Sequence, residues 1–286
     1  MGGGMILVTG AGGKTGGAII RALAARGEPV RALVRRSTQL DLARASGATA
    51  AAVGDLLEPS SLGAIFEGRT AVYHIGANAH PEEAEMGFHA IEAARAAGVT
   101  RFVLHSVLRP QIQAMPHHWR KHLVEGELVE SGLDFTVLQP SSYMQNVQGV
   151  WATIQAGCYS VPYPTDVRFS PVDLRDVAQV AAEVLTEPDH TGATYELAGP
   201  ETLSSDQMAK RMSDALVRPV RAEEISRGNW LRETTLDRAR TATLLSMFEY
   251  YAAHGFSGNA SVLKGLLGRE PTTFAAYLRE VVAERA

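Results

Sequence analysis

Gly10, Gly13 and Gly16 stand at G-x-x-G-x-x-G spacing in the stretch Thr9-Gly10-Ala11-Gly12-Gly13-Lys14-Thr15-Gly16, and Gly12 adds a fourth glycine. Glycines at a strand-to-helix junction permit a tight turn, let the backbone approach a pyrophosphate, and let the helix pack closely on the sheet. The free N–H groups and the positive dipole end of the helix then favour a bound anion. The spacing therefore points to dinucleotide chemistry, with Gly10, Gly12, Gly13, Lys14, Thr15 and Gly16 as the binding set. Gly13-Lys14-Thr15 also mimics the end of an NTPase phosphate loop. That motif needs another glycine five positions before Gly13, where Val8 stands, and the loop is one step too short, so the sequence speaks against this reading.

About twenty residues beyond such glycines, an NAD site offers Asp or Glu to the ribose 2′-hydroxyl. Arg35 and Arg36 occupy that point. A carboxylate would repel a 2′-phosphate, whereas guanidinium pairs with it in a charge-assisted fork. NADP(H) is expected in preference to NAD. Asp55, in Gly54-Asp55-Leu56, either lies beside the adenine or caps a local turn. His118 and His122 are four apart, but no acidic residue between them completes a metal motif.

The elements that must position these residues alternate. Apolar runs at 5–9, 30–34, 50–53, 71–75, 102–105 and 135–138 read as strands, with a further strand at 194–198. Helical stretches at 18–26, 60–66, 82–97, 116–131 and 174–185 separate most of them. Such alternation predicts an α/β fold: a Rossmann, doubly wound parallel sheet whose strand ends share one ligand-binding edge. After residue 198 the pattern turns mainly helical. The expected division is a Rossmann domain of residues 1–140 and 171–199, and a small substrate-side lobe of 141–170 and 200–286. Tyr143, Trp151, Tyr159 and Tyr163 fall in that lobe, either lining an apolar pocket or forming its core.

Composition sets outer bounds. The chain has 286 residues, 45% hydrophobic and 20% charged, with a formal net charge of −4. It carries no basic stripe of the kind nucleic acid demands. No apolar run approaches the roughly 18–20 residues of a bilayer crossing. Residues 1–5 lack a basic region followed by an apolar stretch, and Ile6 stands where a myristoylation signal on Gly2 wants Ser or Thr. A cytoplasmic protein without nucleic-acid or membrane partners is expected. Cys158, the sole cysteine, reads as a small buried hydrophobe. Asp173 and Asp176 read as caps or anchors for the helix that follows.

Taken together, the glycine loop, Val34-Arg35, Gly54-Asp55-Leu56, His105-Ser106-Val107, Lys121, Thr136-Val137-Leu138-Gln139-Pro140 and 172–178 (VDLRDVA) resemble the NmrA-like branch of the atypical short-chain dehydrogenases. The resemblance runs over nearly the whole chain. It implies a preference for NADP(H) and adds Asp55, Lys121 and Pro140 to the cofactor-binding residues. It also implies that Ser106 is the polar residue after the fifth strand and that Lys121 holds the nicotinamide ribose. The general dehydrogenase pattern is Tyr-x-x-x-Lys, and here His117 takes the tyrosine position. With an unperturbed pKa of about 6.5, histidine suits proton donation near neutrality. At a helix N-terminus it would instead stay neutral and polarise a carbonyl. A surface histidine at a helix start is the plain alternative.

Two functions remain open. One is an NADPH-dependent reductase of a small quinone-like or carbonyl compound, with His117, Lys121 and Ser106 around the nicotinamide. The other is a redox-sensing regulator that binds NADP without turnover. Either is compatible with a homodimer or a protein partner.

Overall fold

The computed structural model describes residues 4–285; Gly2, weighed above for acylation, lies outside them. In chain order the elements are β1 (Ile6–Val8), α1 (Lys14–Ala25), β2 (Val30–Val34), α2 (Leu40–Ala45), β3 (Ala50–Val53), α3 (Gly63–Phe66), β4 (Ala71–Ile75), α4 (Glu83–Ala96), β5 (Arg101–His105), α5 (Pro116–Glu130) and β6 (Asp134–Pro140). There follow α6 (Trp151–Gln155), β7 (Cys158–Val161), β8 (Arg168–Phe169), α7 (Leu174–Thr186), β9 (Ala193–Leu197), β10 (Leu203–Ser204), α8 (Ser205–Leu216) and β11 (Arg221–Glu224). The helices α9 (Arg227–Glu233), α10 (Arg238–His254), α11 (Ser261–Leu267) and α12 (Phe274–Ala283) complete the chain.

The chain divides into two units. The first takes the chain up to Gln111 with His117–Gln139 and Val177–Tyr195. Its seven-stranded sheet has the order β3-β2-β1-β4-β5-β6-β9, and the pairs from β3 through β6 are parallel. This is the expected doubly wound Rossmann architecture, with the order reversing between β1 and β4. Side chains alternate across it: Leu7, Val72, Phe102 and Leu104 join Ile91, Val124 and Leu128 of α4 and α5 in one buried cluster. Burial on both faces explains why these strands are almost wholly apolar.

The second unit holds Ile112–Pro116, Pro140–Asp176 and the chain from Glu196 onward. Its core gathers Trp151, Ile154, Tyr159, Met208, Met212, Phe274 and Leu278. Two small sheets, β8 with β10 and β7 with β11, frame it. Trp151 and Tyr159 are core residues, whereas Tyr143 is half-buried. The ring of Tyr163 lies 5.0 Å from that of Phe169 and 6.0 Å from that of Tyr251. Asp173 anchors locally, accepting hydrogen bonds from Gln145 Nε2 at 2.8 Å and from the Arg175 amide at 2.8 Å. Asp176 accepts from Arg269 and from the Thr272 amide, each at 2.7 Å.

Several expectations need correction. The first helix starts at Lys14, not at 18, because Gly16 and Gly17 sit inside it where backbone and side chains crowd them. The stretch 60–66 is not one helix: a 3-10 turn, Pro59–Ser61, precedes the four-residue α3. Cys158 is half-exposed on β7, its Sγ 3.2 Å from Ser160 Oγ, and is not a buried hydrophobe. His117 is buried, so it is no surface histidine. No helix among the described residues is long and apolar enough to cross a membrane.

Candidate functional site

The glycine loop is held by its neighbours on both sides. Thr9, the buried residue after β1, donates from Oγ1 to the Ile75 carbonyl at 3.2 Å and accepts from the Ile75 amide at 2.9 Å. Gly10 then turns with φ +60, and a Cβ there would lie 3.0 Å from Ile75 Cβ. The Ala11 amide donates to the Leu33 carbonyl at 3.2 Å, fastening the loop to β2. A Cβ on Gly16 would come within 2.5 Å of the Gly10 carbonyl oxygen and 2.7 Å of Ala11 Cα. Only glycine fits there. The first turn of α1 has neither a capping side chain nor an acidic residue, so its amides face an anion without competition. Lys14 is exposed beside them, and Thr15 is half-buried. These residues fit a pyrophosphate.

Arg35 and Arg36 leave the end of β2 exposed. Gln39 links them to the loop: its Oε1 accepts from the Arg36 amide at 3.1 Å, and its Nε2 lies 2.3 Å from where a Cβ on Gly12 would sit. Two exposed arginines at this strand end fit a 2′-phosphate. Asp55 forms a turn, its Oδ1 accepting from the Leu57 amide at 3.0 Å.

At the ends of β4 and β5 the site is made of side chains. His74 Nδ1 lies 3.1 Å from Thr9 Oγ1, and Tyr73 Oη hydrogen-bonds to His105 Nδ1 at 2.6 Å. Burial, reinforced by the Lys121 charge, pushes both histidines down to about 3, so both rings are neutral. Ser106, the residue after β5, donates to Glu125 Oε1, which also accepts from Gln139 Nε2 at 2.9 Å. Burial raises the Glu125 carboxyl, and these two hydrogen bonds oppose the rise.

Helix α5 begins at Pro116, whose missing N–H costs nothing in a first turn. His117 and Lys121 are four residues apart and lie on one face, both buried. Burial, then the His118 ring, then the Lys121 and Arg120 charges push His117 down to about 2. Its Nδ1 is buried and has no hydrogen-bond partner among the described residues. The His118 ring packs edge-on against it at 4.5 Å, with its own Nδ1 3.2 Å from the Arg109 carbonyl. Lys121 Nζ donates to Glu83 Oε1 of α4. Pro140 is buried at the end of β6.

The structure thus brings Ser106 and Lys121 together through Glu125, which bonds to the serine and lies one turn beyond the lysine on α5. His117 precedes Lys121 by one turn. Arg35, Arg36 and Asp55 belong to the ends of β2 and β3. Sequence reasoning missed Glu83, Gln39 and the roles of Glu125 and Gln139. Glu83 carries no motif, and Glu82 and Glu85 beside it look equally like first-turn helix acids. Among the described residues no group of three or more His, Cys, Asp or Glu could hold a metal ion.

A family model described as the NmrA-like family matches residues 3–278. An NAD(P)H azoreductase of Xenophilus azovorans is 30% identical over 286 aligned residues, covering 96% of this chain and 97% of its own. The structure of an NADPH-dependent quinone oxidoreductase of Escherichia coli, complexed with NADPH, superimposes with a TM-score of 0.84. It is 24% identical and covers 97% of this chain and 100% of that one. A triphenylmethane reductase of Citrobacter sp. superimposes with a TM-score of 0.85 at 21% identity, covering 98% of this chain and 99% of that one. At such identities the two superpositions speak for the fold.

Proposed function

The chain belongs to the NmrA-like family, and from that premise we propose that it is an NAD(P)H-dependent oxidoreductase, using NADPH, that reduces a small quinone-like or carbonyl compound. The observation that carries this reading is the buried pair on α5: His117 with an unpartnered Nδ1, one turn from Lys121, at the strand ends of the sheet whose first loop fits a pyrophosphate. Azo compounds join the candidate substrates through the azoreductase relative.

Reduced nicotinamide, when bound, supplies the hydride. The residues of the chain do the rest. The amides opening α1 and the exposed Arg35 and Arg36 would hold the diphosphate and the 2′-phosphate, with Asp55 and Pro140 as further candidate cofactor-binding residues. Lys121 binds the nicotinamide ribose, and Ser106, fixed by Glu125, orients polar groups near the ring. His117, neutral at physiological pH, hydrogen-bonds through Nδ1 to the substrate oxygen and stabilises charge that develops there. With its pKa held down to about 2 the ring is not an imidazolium near neutrality, and its Nδ1–H is a hydrogen-bond donor rather than an acid. The product oxygen therefore takes its proton from water, so His117 polarises rather than protonates.

Residues 141–170 and 200–286 are proposed as the substrate-side lobe, and the protein as a cytoplasmic one. The test is NADPH oxidation with a panel of quinones, azo dyes, enones and ketones. Turnover with at least one class is expected, and Lys121→Ala should lower kcat/KM roughly hundredfold. NADP binding without turnover of any compound would instead favour the cofactor-sensing reading, which the absence of a tyrosine at position 117 motivates.

A further inference from the structure

Glu83 is 2% exposed, and only one of its two carboxylate oxygens is used. Oε1 holds Lys121 Nζ, whereas Oε2 is buried and has no hydrogen-bond partner among the described residues. A buried carboxylate oxygen without a donor is costly, because it has given up water for nothing. Its position is informative. Gly10 of the phosphate loop abuts Ile75, the last residue of β4. One residue further, a Cβ on Gly76 would lie 3.1 Å from Cγ and from Oε1 of Glu83. A dinucleotide anchored on the loop and extending along the strand ends from β1 past β4 toward β5 must therefore pass this carboxylate before reaching Ser106. The part of the molecule that follows the diphosphate is a ribose, which is rich in hydroxyl donors.

We propose that Glu83 binds and positions the nicotinamide half of the cofactor: Oε1 holds the Lys121 ammonium, and Oε2 accepts a hydrogen bond from a nicotinamide-ribose hydroxyl. This rests on the cofactor reading above and adds a residue to it. The ammonium and the free oxygen together match a vicinal diol, one as donor and the other as acceptor. Glu83→Gln keeps the shape but replaces the charged acceptor with an amide. Gly76→Ala acts without touching either charge, by crowding the carboxylate.

The experiment is calorimetric titration of the full chain with three probes. These are NADPH, NADPH analogues lacking the 2′- or the 3′-hydroxyl of the nicotinamide ribose, and adenosine 2′,5′-bisphosphate, which has no nicotinamide half. The wild type should bind NADPH about ten- to hundredfold tighter than one of the deoxy analogues, the range expected for a hydrogen bond to a charged group. Glu83→Gln should lose that discrimination yet bind adenosine 2′,5′-bisphosphate as the wild type does. Equal affinity of the wild type for NADPH and both deoxy analogues overturns the assignment, as does undiminished discrimination in Glu83→Gln. Should that variant fail to fold, Gly76→Ala, which crowds the carboxylate, should lose the same discrimination, and undiminished discrimination there overturns the assignment. If the wild type binds adenosine 2′,5′-bisphosphate and NADPH but discriminates neither analogue, only the role of Glu83 falls. If it binds none of the probes, the cofactor reading falls and takes this role with it.

Discussion

The two halves of the sheet edge are built from different materials. Around Gly10 to Gly16 the binding elements are backbone amides, and the side chains matter mainly by being absent: a Cβ on Gly16 would strike the Gly10 carbonyl at 2.5 Å. Around the ends of β4 and β5 and the helices α4 and α5 the elements are side chains, namely buried histidines, a lysine, two glutamates and, just after β5, a serine. A backbone site tolerates almost any chemistry in its surroundings but no change of shape. A side-chain site tolerates small changes of shape but no unpaired charge. Perturbing each half should therefore damage different properties.

The largest effect is expected on the side-chain half. Lys121→Met leaves the Glu83 carboxylate buried and unpaired, which should cost about 3–5 kcal/mol of stability in denaturant unfolding. The double variant Lys121→Met with Glu83→Gln should recover much of that loss. No recovery would mean that the pair is not electrostatically coupled. On the backbone half, Gly16→Ala should cost about 1–3 kcal/mol and abolish detectable NADPH binding. Gly13→Ala, whose Cβ would meet only the Gly10 carbonyl at 3.3 Å, should do markedly less. Similar losses at the two positions would refute a shape-determined loop.

Acid should separate the halves as well. His74, His105, His117 and His118 are held down at about 3, 3, 2 and 4, each chiefly by burial. Below about pH 6.5 the unfolded chain takes up protons that the folded chain refuses, so stability falls as pH falls through that window. Each histidine contributes at most about 1.4 kcal/mol per pH unit there. Thermal unfolding should shift steeply downward between about pH 7 and pH 5, and a His105→Gln variant should show a shallower slope; an unchanged midpoint across that range would contradict the burial of these rings. The mildest effect is expected at Arg36. Arg36→Ala should leave stability unchanged and lower the preference for NADP over NAD about tenfold, read as the ratio of dissociation constants.

The same contrast decides what the residue string could reveal. The glycine loop was legible because its function is a matter of backbone conformation, and glycine at fixed spacing is the visible mark of that conformation. The six strands from β1 to β6 were legible because each carries a short, mainly apolar run, buried in most of them and half-buried in the edge strand β3. Helix α2 escaped, since six residues (LDLARA) are too few to show a periodic stripe. So did β8 and β10, two residues each, which exist only because they pair with one another. His117 was visible as a departure at a known position, but its burial and neutrality depend on what surrounds it. Glu83 was invisible for a simple reason. A helix-opening glutamate looks alike in solvent and in a binding site, and only the approach of Lys121 from a segment 38 residues away distinguishes them.

The hydrogen bonds that join Tyr73 to His105 and Thr9 to His74 have one more consequence. They make the floor beneath the strand ends electrically inert, because neither imidazole takes up a proton at neutral pH and each Nδ1 is already engaged. The ends of β4 and β5 therefore present uncharged rings near neutrality, and the cationic group beside them is Lys121.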